Sequence, residues 1–394
     1  MPIYKTACRG CHGGCLYDIT VENGKVVKAR PSKDGPLNHG RGCVKGMSII
    51  EQMYHPQRLL YPQKRIGPRG SGQWQRISWD EAYATIASRM NQLIGAYGPA
   101  CISALTGTGR HHLPYFYRMG NAIGTPNFSS AGGLICLGPR RTGAVMTGGL
   151  FAGVDYFGKV RPGGILVWGA NPAISGADGE LQWFIKDAAR EGIPMVVEDP
   201  KPNELTRQAK YWLRIRPGTD GALALGILNL LIQEDLYDHD FVAHYTYGFD
   251  ALKERCKEYD LERVAKITDI PAADIQAAAR WIGTTKPLGL EQGCAFEQSV
   301  NAMDTCRAIF MIPAITGNYD VPGGFVESME IAPAGLPPCN EIPPEVAARG
   351  LTGDFPFLKG DGMAHPYLVL EAIKTGKPYK IRGMFIQANN TLIS

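Results

Sequence analysis

No apolar run in this chain is long enough to cross a bilayer: the longest, residues 222–232, is about half of the roughly 20 residues a spanning helix needs. There is no excess of one charge either. The 41 Lys and Arg against 37 Asp and Glu leave only +4 over 394 residues, with no basic run, which argues against a nucleic-acid partner. The first residues, Met1-Pro2-Ile3-Tyr4-Lys5-Thr6, carry no apolar h-region and no twin arginine, so the expectation is a chain neither exported nor inserted in a membrane. A disulfide framework is missing as well. Of ten cysteines, Cys101, Cys136, Cys256, Cys294, Cys306 and Cys339 stand singly, as small buried hydrophobes usually do, and this fits a reducing cytoplasm. What remains is ordinary globular composition, 44% hydrophobic and 20% charged, and length enough for two or more domains.

Against that background the other four cysteines stand out. Cys8, Cys11, Cys15 and Cys43 leave two, three and then 27 residues between neighbours. Three thiolates within eight residues can hold three corners of a cubane while a distant fourth closes the last iron, the ligation a [4Fe–4S] cluster requires. Structural zinc also takes four thiolates, but its ligands usually come as two paired halves, and these divide three and one. Between Cys15 and Cys43, Tyr17-Asp18-Ile19-Thr20-Val21 alternates, Asn23-Gly24 signals a type I′ hairpin, and Val26-Val27 begins the return strand. The Gly-, Pro- and Asn-containing loop 31–41 then leads to Cys43. Lys45, two residues on, is either a solvated surface lysine or a cation between the cluster and whatever lies beneath it.

Past a polar connector at 56–72, Ser78-Trp79-Asp80-Glu81 reads as a capping box. It opens a helix with Ala82, Ile86, Met90 and Leu93 on one stripe, ended by Gly95 or Gly98. Cys101-Ile102-Ser103-Ala104-Leu105 follows as a short strand running into the loop 106–110. The clearest unit is βαβ: the strand Gly164-Ile165-Leu166-Val167-Trp168, a helix carrying Leu181, Phe184, Ile185 and Ala188, and the strand Pro194-Met195-Val196-Val197 ending in Glu198-Asp199-Pro200. Its first turn, Gly169-Ala170-Asn171-Pro172, lacks G-x-G-x-x-G, which argues against a nicotinamide fingerprint. Ligands bind at strand carboxyl ends in such sheets, so Asp199 is either a nucleotide contact or a turn aspartate. Thr219, in Arg216-Pro217-Gly218-Thr219-Asp220-Gly221, is the expected N-cap of a buried helix over 222–232, whose N-terminus is either an anion site or an ordinary helix start. Gly383-Met384-Phe385-Ile386-Gln387-Ala388-Asn389-Asn390 echoes 164–171 at an offset of 219 residues, suggesting two nucleotide half-sites. The second unit stops four residues past Asn390 without a crossover helix or return strand, and the chain reads as a fragment.

Several of these features together resemble the molybdenum/tungsten bis-pyranopterin oxidoreductases, the DMSO reductase superfamily, and in particular its acetylene hydratase-like group. They are the four cysteines with Lys45, the Trp79 helix, Cys136 and the paired strand–asparagine units. The likeness runs through Trp74-Gln75-Arg76-Ile77-Ser78-Trp79-Asp80, Gly124-Thr125-Pro126-Asn127, Gly218-Thr219-Asp220 and Leu236-Tyr237-Asp238. It implies an α/β fold with mainly parallel sheets behind a small β-rich [4Fe–4S] cap, truncated before the C-terminal pterin-binding domain. The expected domains are the cap over 1–60, a guanine-dinucleotide-binding α/β domain over 136–310, and an incomplete, discontinuous α/β domain from 61–135 plus 311–394.

By the same resemblance the chain is a molybdopterin oxidoreductase that uses a [4Fe–4S] cluster and bis-molybdopterin guanine dinucleotide with molybdenum or tungsten. Its partners are a small-molecule substrate and a separate iron–sulfur electron-transfer subunit. Cys136 falls at the protein ligand to the metal, where a soft thiolate is suitable. Lys45 falls between cluster and pterin, Asn171, Asp199, Gly218, Thr219 and Asp220 on one guanosine arm, and Asn390 at the other. There are departures. Acetylene hydratase has a catalytic aspartate directly after its second cluster cysteine, where this chain has His12, an acid–base group or a cluster-shell donor. Formate dehydrogenases follow the metal ligand with histidine, and here it is Leu137. His111 and His112, on the loop after the Cys101–Leu105 segment, are either substrate-site groups or polar surface, and the Pro-rich stretch 331–366 either a substrate funnel or a surface connection. Oxygen-atom, hydride or hydroxyl chemistry is expected. The alternatives are non-redox hydration or hydroxyl transfer, and a non-catalytic electron-transfer fragment.

Overall fold

A computed structural model describes residues 2–11, 13–107, 112–130, 132–149, 152–175, 181–327, 344–353 and 363–390. They fold as two compact units, Met1–Ile50 with Ile135–Glu330, and Glu51–Leu134 with Ile331–Ser394.

The first unit begins with a three-stranded antiparallel meander, Ile3–Ala7, Leu16–Glu22 and Lys25–Pro31. Asn23 and Gly24 both take positive φ (48° and 75°), the geometry of a type I′ turn, whose twist matches that of its strands. The first strand was not legible in the sequence, because all five of its residues are exposed and no alternation marks it. Behind the meander lies a parallel sheet in the order Tyr211–Leu213, Met195–Glu198, Gly164–Trp168, Leu288–Gln292. Parallel strands covered on both faces read as continuous apolar runs, and Ile165, Leu166, Val167 and Trp168 are all fully buried. The pleat divides them. Ile165 and Val167 pack with Phe184, Ile185 and Ala188 of the helix Leu181–Arg190. Leu166 and Trp168 join the larger core formed with the helices Asp220–Gln233, Ala272–Thr284 and Ala302–Ile315. Each such aliphatic side chain contributes about 1.5–3 kcal/mol by leaving water.

The Gly164–Trp168 strand leads through its helix to Met195–Glu198 on one side, while Leu288–Gln292 lies on the other. The strand order therefore reverses between Gly164–Trp168 and Leu288–Gln292, the kind of position where open α/β sheets hold ligands at their carboxyl ends. Thr219 stands at the N-cap of the Asp220–Gln233 helix but makes no side-chain cap. Its hydroxyl donates to the Arg216 carbonyl at 2.6 Å instead, across a turn in which Gly218 has φ +83°.

The second unit has a parallel sheet in the order Gly383–Gln387, Ile102–Thr106, Phe128–Ser130. The helix Trp79–Tyr97 starts as expected, with Ser78 Oγ accepting the Glu81 N–H at 3.1 Å, and ends at Gly98. Of its expected stripe Ala82 and Leu93 are buried, whereas Ile86 is exposed. The segment Gly124-Thr125-Pro126-Asn127 has a structural task. Asn127 is buried, donates to the Ala100 carbonyl at 2.8 Å, and accepts from the Leu351 N–H and the Tyr379 hydroxyl at 3.2 and 3.1 Å. Much of the Pro-rich stretch 331–366, funnel or surface connection, lies outside the described residues. No helix among the described residues is long and apolar enough to cross a membrane.

Candidate functional site

Cys8, Cys11, Cys15 and Cys43 line one small pocket that is partly open to solvent. Local bonds hold them there. The Cys8 N–H donates to the Cys15 carbonyl at 2.8 Å, joining the first of these cysteines to the third. Asn38 is fully buried and brings in the fourth: its amide donates to the Leu16 and Arg41 carbonyls at 3.1 and 3.0 Å, and its oxygen accepts the Leu16 N–H at 3.0 Å. Gly10 and Gly13 N–H groups donate to the sulfurs of Cys8 and Cys11, each at 3.4 Å, an interaction that tunes thiolate-bound clusters. Tyr17 lies under the cavity against Gly46, where a Cβ would come within 2.1 Å of the phenol oxygen. Burial, reinforced by the four nearby thiols, pushes the Tyr17 hydroxyl pKa up, so it stays neutral. Lys45 is on the cavity wall. The four cysteines share one pocket, and no three His, Cys, Asp or Glu side chains among the described residues form a single-ion site. A group with volume of its own, held by four thiolates, suits that arrangement. The Arg41 guanidinium anchors the cap to the rest of the unit, 2.8 Å from Asp187 and 5.2 Å from the centre of the Trp183 ring.

The second feature is at the carboxyl ends of the parallel strands. Directly after Trp168, Gly169 takes φ +55°, and its N–H donates to Glu198 Oε2 at 2.7 Å. On the neighbouring strand the Gly293 N–H donates to the Trp168 carbonyl at 3.0 Å, and a Cβ on Gly293 would stand 2.0 Å from the Gly169 oxygen. The same construction recurs in the second unit. Ala388 follows Gln387 with φ 46°, the Gly107 N–H donates to the Gln387 carbonyl at 2.9 Å, and a Cβ on Gly107 would stand 1.9 Å from the Ala388 oxygen. The sequence echo is therefore also an echo of backbone geometry, although Gly293 and Gly107 lie outside the repeated stretch and were missed. Asn171 Oδ1 and Gln292 Oε1 in the first unit, and Gln387 Oε1 in the second, are buried without a hydrogen-bond partner. Orphaned acceptors at strand ends fit a polar ligand such as a pterin nucleotide.

Asp199 is engaged in its own turn, its carboxylate accepting the Lys201 N–H at 2.9 Å and the Asn203 amide at 2.7 Å. Asp220 is buried and accepts the Trp168 indole N–H at 3.1 Å, and burial raises its pKa. Glu198, which sequence reasoning passed over, is buried beside it, and its pKa is raised well above normal by desolvation and then by the Asp220 charge.

Cys136 stands at the N-cap of the helix Leu137–Gly148, with its sulfur 3.8 Å from that of Cys294. Arg140, one turn along that helix, donates to the Gln292 carbonyl at 2.9 Å and lies 3.2 Å from the fully buried Glu297 carboxylate. Burial pushes Glu297 up to about 7 even against that guanidinium. The hydrogen bond with Cys136, then burial, raises the Cys294 thiol pKa. Nothing local marked Cys294; only the packing brings it to Cys136. Of the expected histidines, His12 and His111 lie outside the described residues, and His112 is at the N-cap of the helix Leu113–Ile123 in the second unit, as Asn390 is in that unit.

With four thiols around one cavity, and two parallel sheets whose strand ends are built alike, the chain belongs to the molybdopterin oxidoreductases. That family matches residues 58–393, and its Fe4S4 domain residues 1–55, which contain all four cysteines. These are enzymes whose cofactors are a [4Fe–4S] cluster and bis-molybdopterin guanine dinucleotide. Among similar proteins, the probable oxidoreductase YoaE of Bacillus subtilis is 34% identical over 82% of this chain and 47% of its own length. Dimethyl sulfoxide reductase DmsA of Haemophilus influenzae is 33% identical over 83% of this chain and 45% of its own. The solved structure of acetylene hydratase from Pelobacter acetylenicus superposes with a TM-score of 0.86 at 27% identity, covering 98% of this chain and 57% of that one. The chain spans about half the length of the curated relatives it matches.

Proposed function

We propose that this chain carries the iron–sulfur cluster and pterin contacts of a molybdenum- or tungsten-dependent oxidoreductase acting on a small molecule. In this reading Cys8, Cys11, Cys15 and Cys43 hold a [4Fe–4S] cluster, and Lys45 supplies a positive charge between cluster and pterin. Cys136 is the protein's ligand to the metal. Asn171, Asp199, Gly218, Thr219 and Asp220 hold one guanosine diphosphate arm, and Asn390 contacts the other. When bound, the metal–pterin group supplies two-electron oxygen-atom, hydride or hydroxyl chemistry. The protein's part is to orient it through strand-end acceptors and to screen its charge. Cys8, Cys11, Cys15 and Cys43 would hold a group able to exchange electrons with a separate iron–sulfur subunit, and the working compartment is the reducing cytoplasm. His12, His111 and His112 remain the candidate proton-transfer groups near substrate.

The observation that carries this reading is the common cavity of the four cysteines with Lys45 on its wall. Anaerobically purified chain should contain about four irons, the number the cluster type demands, and Cys43→Ala should lose most of that iron. Stoichiometric zinc without iron would overturn the assignment. For Cys136, X-ray absorption at the molybdenum or tungsten edge of the loaded enzyme should lose one sulfur neighbour in Cys136→Ala while the iron–sulfur spectrum stays. Non-redox hydration, the activity that acetylene hydratase is named for, is the second reading, favoured by the extent of that structural likeness. Reduction of an artificial acceptor coupled to substrate turnover distinguishes the two, since hydration transfers no electrons.

A further inference from the structure

We propose that Cys136 and Cys294 form an oxidant-sensitive dithiol that closes to a disulfide and so withdraws the Cys136 sulfur from metal ligation. The residues are 158 positions apart in the chain, yet their sulfurs lie 3.8 Å from each other. Closing that gap to a bond of about 2.05 Å moves the sulfurs together by about 1.8 Å.

Packing on both sides holds the pair in register. The Leu137–Gly148 helix, which starts immediately after Cys136, lies against Ala302–Ile315 with Gly143 at the crossing, where a Cβ would come within 2.7 Å of Cys306 Cβ. Only a glycine allows that approach. From the same helix Arg140 grips the strand end two residues before Cys294 through the Gln292 carbonyl, and it also pairs with Glu297 three residues beyond. One helix thus carries the first thiol and fixes the segment carrying the second. Cys101, Cys256 and Cys306 are each buried, whereas Cys136 and Cys294 are both partly exposed.

The oxidant is a low-molecular-weight disulfide. One cysteine, as thiolate, attacks it to form a mixed disulfide and releases one reagent thiolate. The other cysteine gives up its proton and displaces the second reagent thiolate from the mixed disulfide. Overall the cysteine pair loses two electrons and two protons, and the reagent is reduced to two thiols.

Loss of metal ligation rests on the assignment of Cys136 as metal ligand, but the sulfur chemistry does not. The test treats this chain, free of molybdenum and tungsten but with its iron–sulfur cluster in place, with oxidised glutathione, then maps peptides by mass spectrometry without reduction, using the iron–sulfur spectrum to verify folding. The expected result is a Cys136–Cys294 cross-link, two hydrogens lighter, with no glutathione retained on either residue and reversal by dithiothreitol. In Cys294→Ala and Cys294→Ser, Cys136 should instead retain one glutathione. Glutathione retained on Cys136 in the unsubstituted chain, no reaction at either residue, or a link from Cys136 to another cysteine would each overturn the proposal. Failure of the metal-ligand assignment would show separately, as an unchanged metal-edge spectrum in Cys136→Ala.

Discussion

Asn38 is the buried tie that delivers the fourth cysteine, and replacing it tests how the cap is held. Its three hydrogen bonds join Leu16, the neighbour of Cys15, to Arg41, two residues before Cys43. At about 1 kcal/mol net for each, they stabilise the closed loop by about 3 kcal/mol. That is roughly a hundredfold in the population with Cys43 correctly placed. Asn38→Ala should therefore leave a cap that loses its cluster much faster to a chelator. Asn38→Asp is the sharper test. It keeps the shape and one acceptor but presents a carboxylate to two carbonyls, so at neutral pH it should be worse than alanine. It should recover in part as pH falls, because burial favours the acid form and the acid can donate to one carbonyl. The assay is iron per chain and the decay of the visible cluster absorption under anaerobic conditions. An Asn38→Asp chain that keeps its cluster as the wild type does at pH 7 would refute the reasoning.

Gly293→Ala and Gly107→Ala should each destabilise their own unit by about 1–3 kcal/mol or more, because the added methyl meets backbone oxygen at 2.0 and 1.9 Å and neither strand end can swing away. Urea titration followed by tryptophan fluorescence measures this, and wild-type midpoints in both variants would show that the strand ends are looser than described. Glu198, raised by burial from its ordinary 4.5, binds its proton more tightly folded than unfolded, so its contribution to stability is present at low pH and is lost as pH rises through the raised value. Glu198→Gln keeps an acceptor for the Gly169 N–H without the charge. It should flatten the pH dependence and gain stability on the alkaline side, and superimposable pH profiles would contradict this.

The sequence alone determined those parts of the protein that depend on neighbours along the chain. Asn23-Gly24 dictates its hairpin because both residues tolerate positive φ. Ser78 starts its helix because its oxygen reaches the Glu81 N–H three residues on. The apolar runs 164–168 and 195–198 are strands because only a covered parallel sheet buries such runs on both sides. That Cys8, Cys11, Cys15 and Cys43 come together was legible for the same reason, three of them falling within eight residues and the hairpin returning the fourth. Tertiary structure decided the rest. Thr219 was expected to cap its helix, but its hydroxyl turns to the Arg216 carbonyl. Asp199 was marked by its strand-end position, yet the adjacent Glu198 takes the Gly169 N–H. Gly293 and Gly107 look like ordinary glycines until each is found beneath the carbonyl of a positive-φ residue far away in sequence. Cys294 became part of the site only when a helix and a strand end, held by Gly143 and Arg140, brought it to Cys136. Short-range hydrogen bonds and backbone preferences are written in consecutive residues, whereas the meeting of strand ends and helix starts depends on how distant apolar faces pack, which no local pattern records.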